Sequence, residues 1–292
     1  MKSDLPPIAR LVEVMRRLRD PKTGCPWDLE QDFKSIAKHT LEETYEVIEA
    51  IEQGDPKAIK EELGDLLFQI AFYGQLGSEA GLFDLNQIAS DVADKMIERH
   101  PHVFGDRDAN TAAKVLANWE TDKAAKREAQ AKAENWPLSA LDGIGTALPA
   151  ISRALKLQNR AARTGFDWTD AKDILAKIRE EIGELETEMN ASFSSPAQRE
   201  RKGPIAKQWE GEGNNDAIED ELGDLFFALV NLARRLDVDP ESALRRTNRK
   251  FDRRFREIET RLAAQGRKLE DTSLDEMEQI WVEIKREEKK TG

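Results

Sequence analysis

Apolar residues recur along the chain at intervals of three and four positions, the spacing that places side chains on one face of a helix. The clearest stripes are Ile178, Ile182, Leu185 and Met189, and then Ile218, Leu222, Leu225 and Leu229. Glycine, proline and β-branched runs are sparse, whereas Ala, Glu, Leu, Lys and Arg dominate, which favours helices over sheets. The pattern therefore predicts an all-α fold with very little strand.

The chain contains an internal repeat. Its first half carries, in order, the motifs Gly24-Cys25-Pro26-Trp27-Asp28, Leu41-Glu42-Glu43-Thr44-Tyr45-Glu46 and Glu61-Glu62-Leu63-Gly64-Asp65-Leu66-Leu67-Phe68. The second half carries their counterparts Gly165-Phe166-Asp167-Trp168, Arg179-Glu180-Glu181-Ile182-Gly183-Glu184 and Asp220-Glu221-Leu222-Gly223-Asp224-Leu225-Phe226-Phe227. Further along, the pairs Lys95 and Arg99, then Trp119 and Lys123, correspond to Lys250 and Arg254, then Trp281 and Lys285. Landmarks that recur in one order indicate two tandem helical-bundle domains.

The repeat sets the expected domain limits. A chain of 292 residues is long enough to bury one core in each half. We expect a first domain at 1–125, a charged, alanine-rich linker at 126–145 and a second domain at 146–292. An insertion at about 190–216 separates the two acidic motifs of the second domain and is expected to form a loop.

Acidic residues lie beside the apolar stripes at a spacing that brings them together. Glu181 and Glu184 share one helical phase, as do Glu221 and Asp224, because each residue advances a helix by about 100°. If the two helices pack through their stripes, four carboxylates meet at the edge of the core. The first repeat would do the same with Glu43, Glu46, Glu62 and Asp65.

Clustered carboxylates repel one another, and a divalent cation would compensate their charge. Oxygen ligands suit Mg²⁺, with Mn²⁺ as a possible substitute, and Mg²⁺ commonly completes its shell with water and substrate phosphates. The sequence thus predicts a Mg²⁺ site and a phosphate-bearing substrate. A single acidic pair would more often be a solvated helix face, but four pairs recur here in matched repeats. A di-iron centre needs two Glu-x-x-His pairs, and none of the three histidines follows a Glu by three.

Basic and aromatic residues supply candidate substrate contacts. Lys250 and Arg254 lie one helical turn apart, as two cations that grip a triphosphate would. Trp281 could stack on a nucleobase, with Lys285 one turn on reaching phosphate or ribose. The alternatives are a solvated, ion-paired helix and a tryptophan that anchors the core.

Charge and cysteine content limit the partners. A net charge of −12 argues against a protein that coats nucleic acid. One cysteine, Cys25, cannot form a disulfide within the chain, and no signal-like or membrane-spanning apolar stretch occurs. We expect a cytoplasmic protein that binds neither nucleic acid nor membrane. No P-loop or dinucleotide-binding glycine motif is found.

The motifs resemble those of the MazG family of nucleoside triphosphate pyrophosphohydrolases, in its long tandem form, over nearly the whole chain. The most specific strings are Gly24 to Asp28 with Glu30-Gln31, Leu41 to Glu46, Arg99-His100-Pro101-His102-Val103-Phe104 and Gly165 to Trp168. The resemblance implies an all-α homodimer that uses Mg²⁺ to hydrolyse canonical or damaged nucleoside triphosphates to monophosphate and pyrophosphate. The implied role is housecleaning of the nucleotide pool.

The resemblance also implies residue roles. The implied metal ligands are Glu181, Glu184, Glu221 and Asp224, with Glu43, Glu46, Glu62 and Asp65 as the first repeat's set. The implied substrate-binding residues are Lys250, Arg253, Arg254 and Trp281, to which we add Lys177 and Lys285. We choose Glu180 as the general base and the second repeat as the main active site. A narrow dUTP or phosphoribosyl-ATP hydrolase, or a non-catalytic, metal-stabilised interaction module, stays open as an alternative.

Overall fold

The structure, a computed structural model, describes residues 5–106, 111–134, 137, 139–168, 170–194 and 212–291. Within these ranges nearly all regular structure is α-helical, with one short 3₁₀ helix and no strand, so the all-α prediction is confirmed. The helices are α1 (Pro7–Leu18), α2 (Pro26–Glu30), α3 (Phe33–Gln53), α4 (Pro56–Glu79), α5 (Leu85–Arg99), α6 (Pro101–Phe104), α7 (Ala112–Glu134), α8 (Ala150–Ala162), α9 (Ala171–Ser194), α10 (Glu212–Arg235), α11 (Pro240–Ala264) and α12 (Leu274–Thr291). None of the described helices is both long and apolar enough to cross a membrane.

The chain forms two compact units, Met1–Ala125 and Lys126–Gly292. Helix α7 includes residues 126–134 of the predicted linker. Most of the predicted insertion, residues 195–211, lies outside the described residues.

In the first unit, α3 and α4 form a helical hairpin. Asp32 begins α3 by accepting hydrogen bonds from the backbone N–H groups of Lys34 and Ser35, which satisfies donors that have no partner within the helix. Gly54 ends α3 in the left-handed conformation, with φ of 74°, where glycine carries no steric cost. Helix α4 follows almost at once, so the two helices run antiparallel and pack along their length.

The core of the first unit lies where α1 and α3 meet α4. Its buried members come from these three helices and are Met15, Ile36, Ala71, Phe72 and Leu76. This arrangement fixes the rotation of α3 and α4, and hence the direction in which the acidic residues of each helix point.

The second unit repeats the arrangement. Helices α9 and α10 pack together around Ile174, Ile178 and Ala228. Helix α8 packs on α10, where the side chain of Gln158 donates a hydrogen bond of 2.8 Å to the Phe227 carbonyl. Helices α11 and α12 share a further core of Ile258, Leu262 and Ile284.

The predicted apolar stripes are only partly buried. Ile178 is buried, but Ile182 and Leu222 remain about two-fifths exposed. The reason is geometric: the crossing of two helices covers one part of each stripe, and the remainder needs another surface to cover it. Periodicity predicted the apolar face correctly but did not reveal how much of it the chain itself would cover.

Candidate metal centre and substrate pocket

The second repeat gathers three carboxylates at the crossing of α9 and α10. Glu181 and Glu184 come from α9 and Glu221 from α10, and each offers an oxygen within 4.8 Å of the other two. Glu181 is buried, Glu221 is half-buried and Glu184 is exposed. The cluster therefore opens to solvent on the side of Glu184.

The first repeat gathers an equivalent cluster at the crossing of α3 and α4. Glu43 from α3 meets Glu62 and Asp65 from α4, again with ligand atoms within 4.8 Å of one another. Both repeats thus place acidic residues of two packed helices at one point, as their common motif order predicts.

Each cluster lacks one member of its predicted four-residue set. Glu46 is exposed and lies outside the first cluster, although its charge raises the pKa of both Glu43 and Glu62. Asp224 lies outside the second cluster and instead lines the pocket next to it.

The donor chemistry fits a hard divalent cation. All donors are carboxylate oxygens, the ligands such ions prefer. Partial desolvation of the carboxylate beside its neighbours, and then the hydrogen bond with Glu181, raise the pKa of Glu184. Burial, and then the charge of Glu46, raise the pKa of Glu43 and Glu62. Negative charge is thus incompletely balanced at both clusters, and either could hold a divalent cation.

A charged pair beside the cluster distinguishes the repeats. The ammonium of Lys177 lies 2.8 Å from Oε1 of both Glu180 and Glu181. At the matching positions of the first repeat, His39 Nδ1 lies 3.5 Å from Oε2 of Glu42. A lysine is a permanent cation near neutral pH, whereas a histidine is charged only when protonated. The second repeat therefore carries the more reliable positive charge beside its carboxylates.

A pocket of about 240 Å³ adjoins the second cluster. Its lining combines charged residues of the cluster with aromatic and polar groups: Trp168, Ile174, Lys177, Glu181, Asp224, Phe227, Ala228 and Asn231. The predicted residues Lys177, Glu181 and Asp224 are thus brought together in the lining of one cavity. This mixed lining can accept a ligand that carries both an anionic group and a planar ring.

The predicted basic and aromatic residues form a group on α11 and α12. Arg253 and Arg254 both donate to the carboxylate of Glu288, and these bonds lower the pKa of Glu288 to about 2. Arg254 also stacks over Trp281, with 5.3 Å between its Cζ and the ring centroid. Lys250 is half-buried, and Lys285 is exposed.

Trp281 also packs against the Ile258, Leu262 and Ile284 core. The structure therefore shows the core-anchor role that the sequence left as an alternative.

Sequence reasoning missed the other five residues of the pocket wall, which are Trp168, Ile174, Phe227, Ala228 and Asn231. Trp168 was recognised only as part of a repeated motif. Asn231 had a detectable signal, because it is a polar residue on the apolar face of α10, at the position where the first repeat has Phe72.

Fold and site together define an all-helical protein with two matched acidic clusters able to hold divalent cations. The sequence pattern of the MazG nucleotide pyrophosphohydrolase domain matches the chain twice, over residues 31–104 and 169–258. The chain belongs to the MazG family, as its motifs predicted.

Relatives align along most of the chain. A nucleoside triphosphate pyrophosphohydrolase of Escherichia coli is 45% identical over 281 residues, which cover 96% of this chain and 98% of the relative. A nucleoside triphosphate pyrophosphohydrolase/pyrophosphatase MazG of Thermotoga maritima is 36% identical over 94% of each chain. A nucleoside triphosphate pyrophosphohydrolase of Mycobacterium tuberculosis is 31% identical over 54% of this chain and 46% of its own.

Proposed function

We propose that this protein hydrolyses nucleoside triphosphates, canonical or damaged and with either sugar, to the monophosphate and pyrophosphate. Its role would be housecleaning of the nucleotide pool. The observation that carries the proposal is the carboxylate cluster of Glu181, Glu184 and Glu221, which opens beside a pocket with an aromatic wall. The similarity to named pyrophosphohydrolases over almost the full chain supports the same reaction.

The proposed cofactor is Mg²⁺, or Mn²⁺ in its place. Glu181, Glu184 and Glu221 would hold it, with Asp224 available from the pocket side. A bound cation of this kind neutralises phosphate charge and makes water a better nucleophile. In the first repeat Glu43, Glu62 and Asp65 would hold a second ion, with Glu46 nearby.

Two side chains of the second repeat are assigned to phosphate binding and to proton transfer. We assign Lys177 to the phosphates, since it is the cation in the lining of the pocket and lies beside Glu181. Glu180 is our choice for the base that removes a proton from the attacking water. Its Oε1 accepts a hydrogen bond of 2.8 Å from Lys177, which holds the carboxylate in place. Lys177 thus orients the base as well as the phosphate.

The group on α11 and α12 is proposed to bind the rest of the substrate. The cations of this group would contact phosphate or ribose; they are Lys250, Arg253, Arg254 and Lys285. Trp281 would offer its ring as a stacking surface. Arg253 and Arg254 are paired with Glu288, so a triphosphate must compete with that carboxylate. Arginine binds phosphate through the same bidentate geometry as carboxylate, so the phosphate would take over those donors.

Assembly and location complete the proposal. We propose a homodimer, because α10 leaves an apolar stripe exposed that a second copy could cover. We keep the domain limits 1–125 and 146–292, joined by a linker at 126–145. A cytoplasmic location fits a chain with a single, free cysteine, since disulfides are rare there.

The first experiment incubates the purified protein with a panel of nucleoside and deoxynucleoside triphosphates, with Mg²⁺, Mn²⁺ or EDTA, and resolves products by anion exchange. We expect monophosphate and pyrophosphate, lost with EDTA. Diphosphate and orthophosphate would overturn the reaction. Turnover of dUTP alone would indicate the narrow enzyme, and phosphoribosyl-ATP is included to test the other narrow substrate. Stabilisation by metal without any turnover would favour the interaction module.

A pair of matched variants tests the second repeat as the main site. We expect Glu181→Gln with Glu221→Gln to lower kcat/KM by about 100-fold or more, because a lost metal removes several kcal/mol of transition-state stabilisation. The matched control, Glu43→Gln with Glu62→Gln, should change kcat/KM far less. The assignment is wrong if the control abolishes hydrolysis while the first pair leaves it unchanged.

A further inference from the structure

Asn231 is a buried polar residue in the wall of the second-repeat pocket. It is 3% exposed and lies on the face of α10 that packs into the unit. Asn231 lies ten positions after Glu221, and its counterpart ten positions after Glu62 is Phe72, which is fully buried in the first-repeat core. Burying an amide in place of a phenyl ring costs free energy unless its hydrogen bonds are made.

The orientation of the Asn231 amide is fixed by chemistry. Arg234 Nη2 lies 2.9 Å from Asn231 Oδ1. A guanidinium can only donate hydrogen bonds, so the amide oxygen must face it. The amide NH₂ is therefore the group that Asn231 has left to offer to a ligand in the pocket.

The same arginine contacts the segment that carries another residue of the pocket lining. Arg234 also pairs with Asp167, the residue directly before Trp168, whose ring lines the cavity. One guanidinium thus anchors both the loop that carries Trp168 and the amide of Asn231. The first repeat has Gln75 at the position of Arg234 and cannot form this ion pair.

We propose that Asn231 reads the nucleobase: its amide NH₂ donates a hydrogen bond to a carbonyl oxygen on the base edge, while Arg234 positions the amide. This inference rests on the proposed function, because it takes a nucleotide as the ligand. Asn231 is a specificity-determining residue and Arg234 a positioning residue.

The size and polarity of the pocket support this placement. Its volume of about 240 Å³ lies below the roughly 300–1,000 Å³ of sites that hold a whole drug-sized ligand. One planar ring system can enter, while Lys177, the cation of the same lining, is available to the phosphates. Trp168 and Phe227 supply apolar ring surface, and Asn231 supplies a buried donor. A buried donor discriminates strongly, since a base without the matching acceptor leaves it unpaired.

The test compares substrates that differ by one carbonyl or amine, dUTP against dCTP and ITP against ATP. In Asn231→Asp the carboxylate keeps an acceptor for Arg234 but presents an acceptor to the base. We expect the keto-to-amino ratio of kcat/KM to fall by roughly tenfold to a hundredfold. Asn190→Asp, the same change at an exposed position of α9, should leave the ratio as in the wild type.

Binding gives a second, independent measurement. The α,β-imido analogues of dUTP and dCTP, titrated by calorimetry with Mg²⁺ present, should show the same shift in their ratio of Kd values. These analogues still test Asn231 if the wild type hydrolyses no triphosphate, an outcome that would defeat the proposed function alone. An unchanged ratio in folded Asn231→Asp, with all substrates affected equally, would overturn the role of Asn231.

Arg234→Gln covers the case in which Asn231→Asp does not fold. It introduces the residue that the first repeat has at this position and releases the amide, which can then turn either face to the ligand. We expect the ratio of kcat/KM for keto substrates to kcat/KM for amino substrates to move towards one. A ratio that stays at the wild-type value in this variant would contradict the positioning role.

Discussion

Arg254 combines interactions that the sequence could not assign. Its guanidinium makes two hydrogen bonds to one oxygen of Glu288, from Nε at 3.0 Å and Nη2 at 2.7 Å, and it stacks over the ring of Trp281. Arg253 donates to the other oxygen of the same carboxylate. Glu288 thus holds the two arginines in place on α11 before any substrate arrives. Sequence spacing identified the cations but gave no sign of a partner 34 residues away.

The Glu288 carboxylate predicts a pH dependence of stability. The hydrogen bonds from Arg254 and Arg253 lower its pKa to about 2. Its contribution is therefore fully present above the unfolded-state pKa of about 4.3 and is lost as the pH falls towards the folded-state value. Urea unfolding should show wild type more stable than Glu288→Gln at pH 7. That difference should shrink between about pH 4.5 and the lowest pH at which the protein folds. A difference that grows on acidification would contradict the prediction.

At the scale of the helix, α4 shows how glycine allows close packing. A Cβ added at Gly77 would lie 2.6 Å from the ring and the carbonyl oxygen of Phe83. At Gly64, in the same helix, a Cβ would have no neighbour within 4 Å. The fold therefore needs a glycine at position 77, where Phe83 packs closely, but not at position 64.

These two glycines make a matched pair of stability predictions. Gly77→Ala should lower the free energy of unfolding by about 1–2 kcal/mol, because overpacking outweighs the gain in helix propensity. Gly64→Ala should raise it by about 0.5–1 kcal/mol, because alanine loses less backbone entropy in a helix interior. Chemical denaturation with EDTA present measures both without any contribution from metal. Equal effects of the two substitutions would show that the contact with Phe83 is not restrictive.

The elements also show what sequence could and could not predict. Helical phase, read from Ile178 and its stripe, was enough to bring Glu181 towards Glu221. It could not show that Asp224 would line the adjoining pocket, because that depends on how the two helices cross. The sequence could not predict the pocket either, because its wall depends on a contact between Arg234 and Asp167, which lie 67 positions apart. A local sequence pattern predicts which face of a helix is apolar, whereas a cavity forms only when several helices pack together.

At the scale of the whole molecule, both repeats leave the same surface exposed. On α10 the exposed apolar residues include a stripe of Leu222, Phe226 and Leu229, and the matching positions on α4 are Leu63, Leu67 and Ile70. Each set follows the i, i+4, i+7 spacing of one helix face. Single exposed apolar residues are ordinary, but a stripe in the same place on both repeats indicates a surface that is normally covered.

The homodimer prediction implies that a second copy of the chain covers these stripes. Size-exclusion chromatography with light scattering measures the mass in solution and tests this prediction. The wild type should have twice the mass of one chain. Phe226→Glu with Leu229→Glu should shift it towards the monomer, because two charges cannot be buried in an apolar interface without large cost. Leu67→Glu with Ile70→Glu tests whether the stripe of the first repeat also contributes to the interface. Leu274→Glu, at an exposed site on α12, is the control and should stay dimeric.

The comparison of the two double variants decides which repeat forms the interface. Dissociation by the α10 pair alone would place it at the second repeat, and dissociation by the α4 pair alone would place it at the first. A monomeric wild type at concentrations of tens of micromolar would show that the homodimer prediction is wrong. If either pair suffices, both stripes contribute, as expected for a symmetric dimer in which each repeat meets its counterpart.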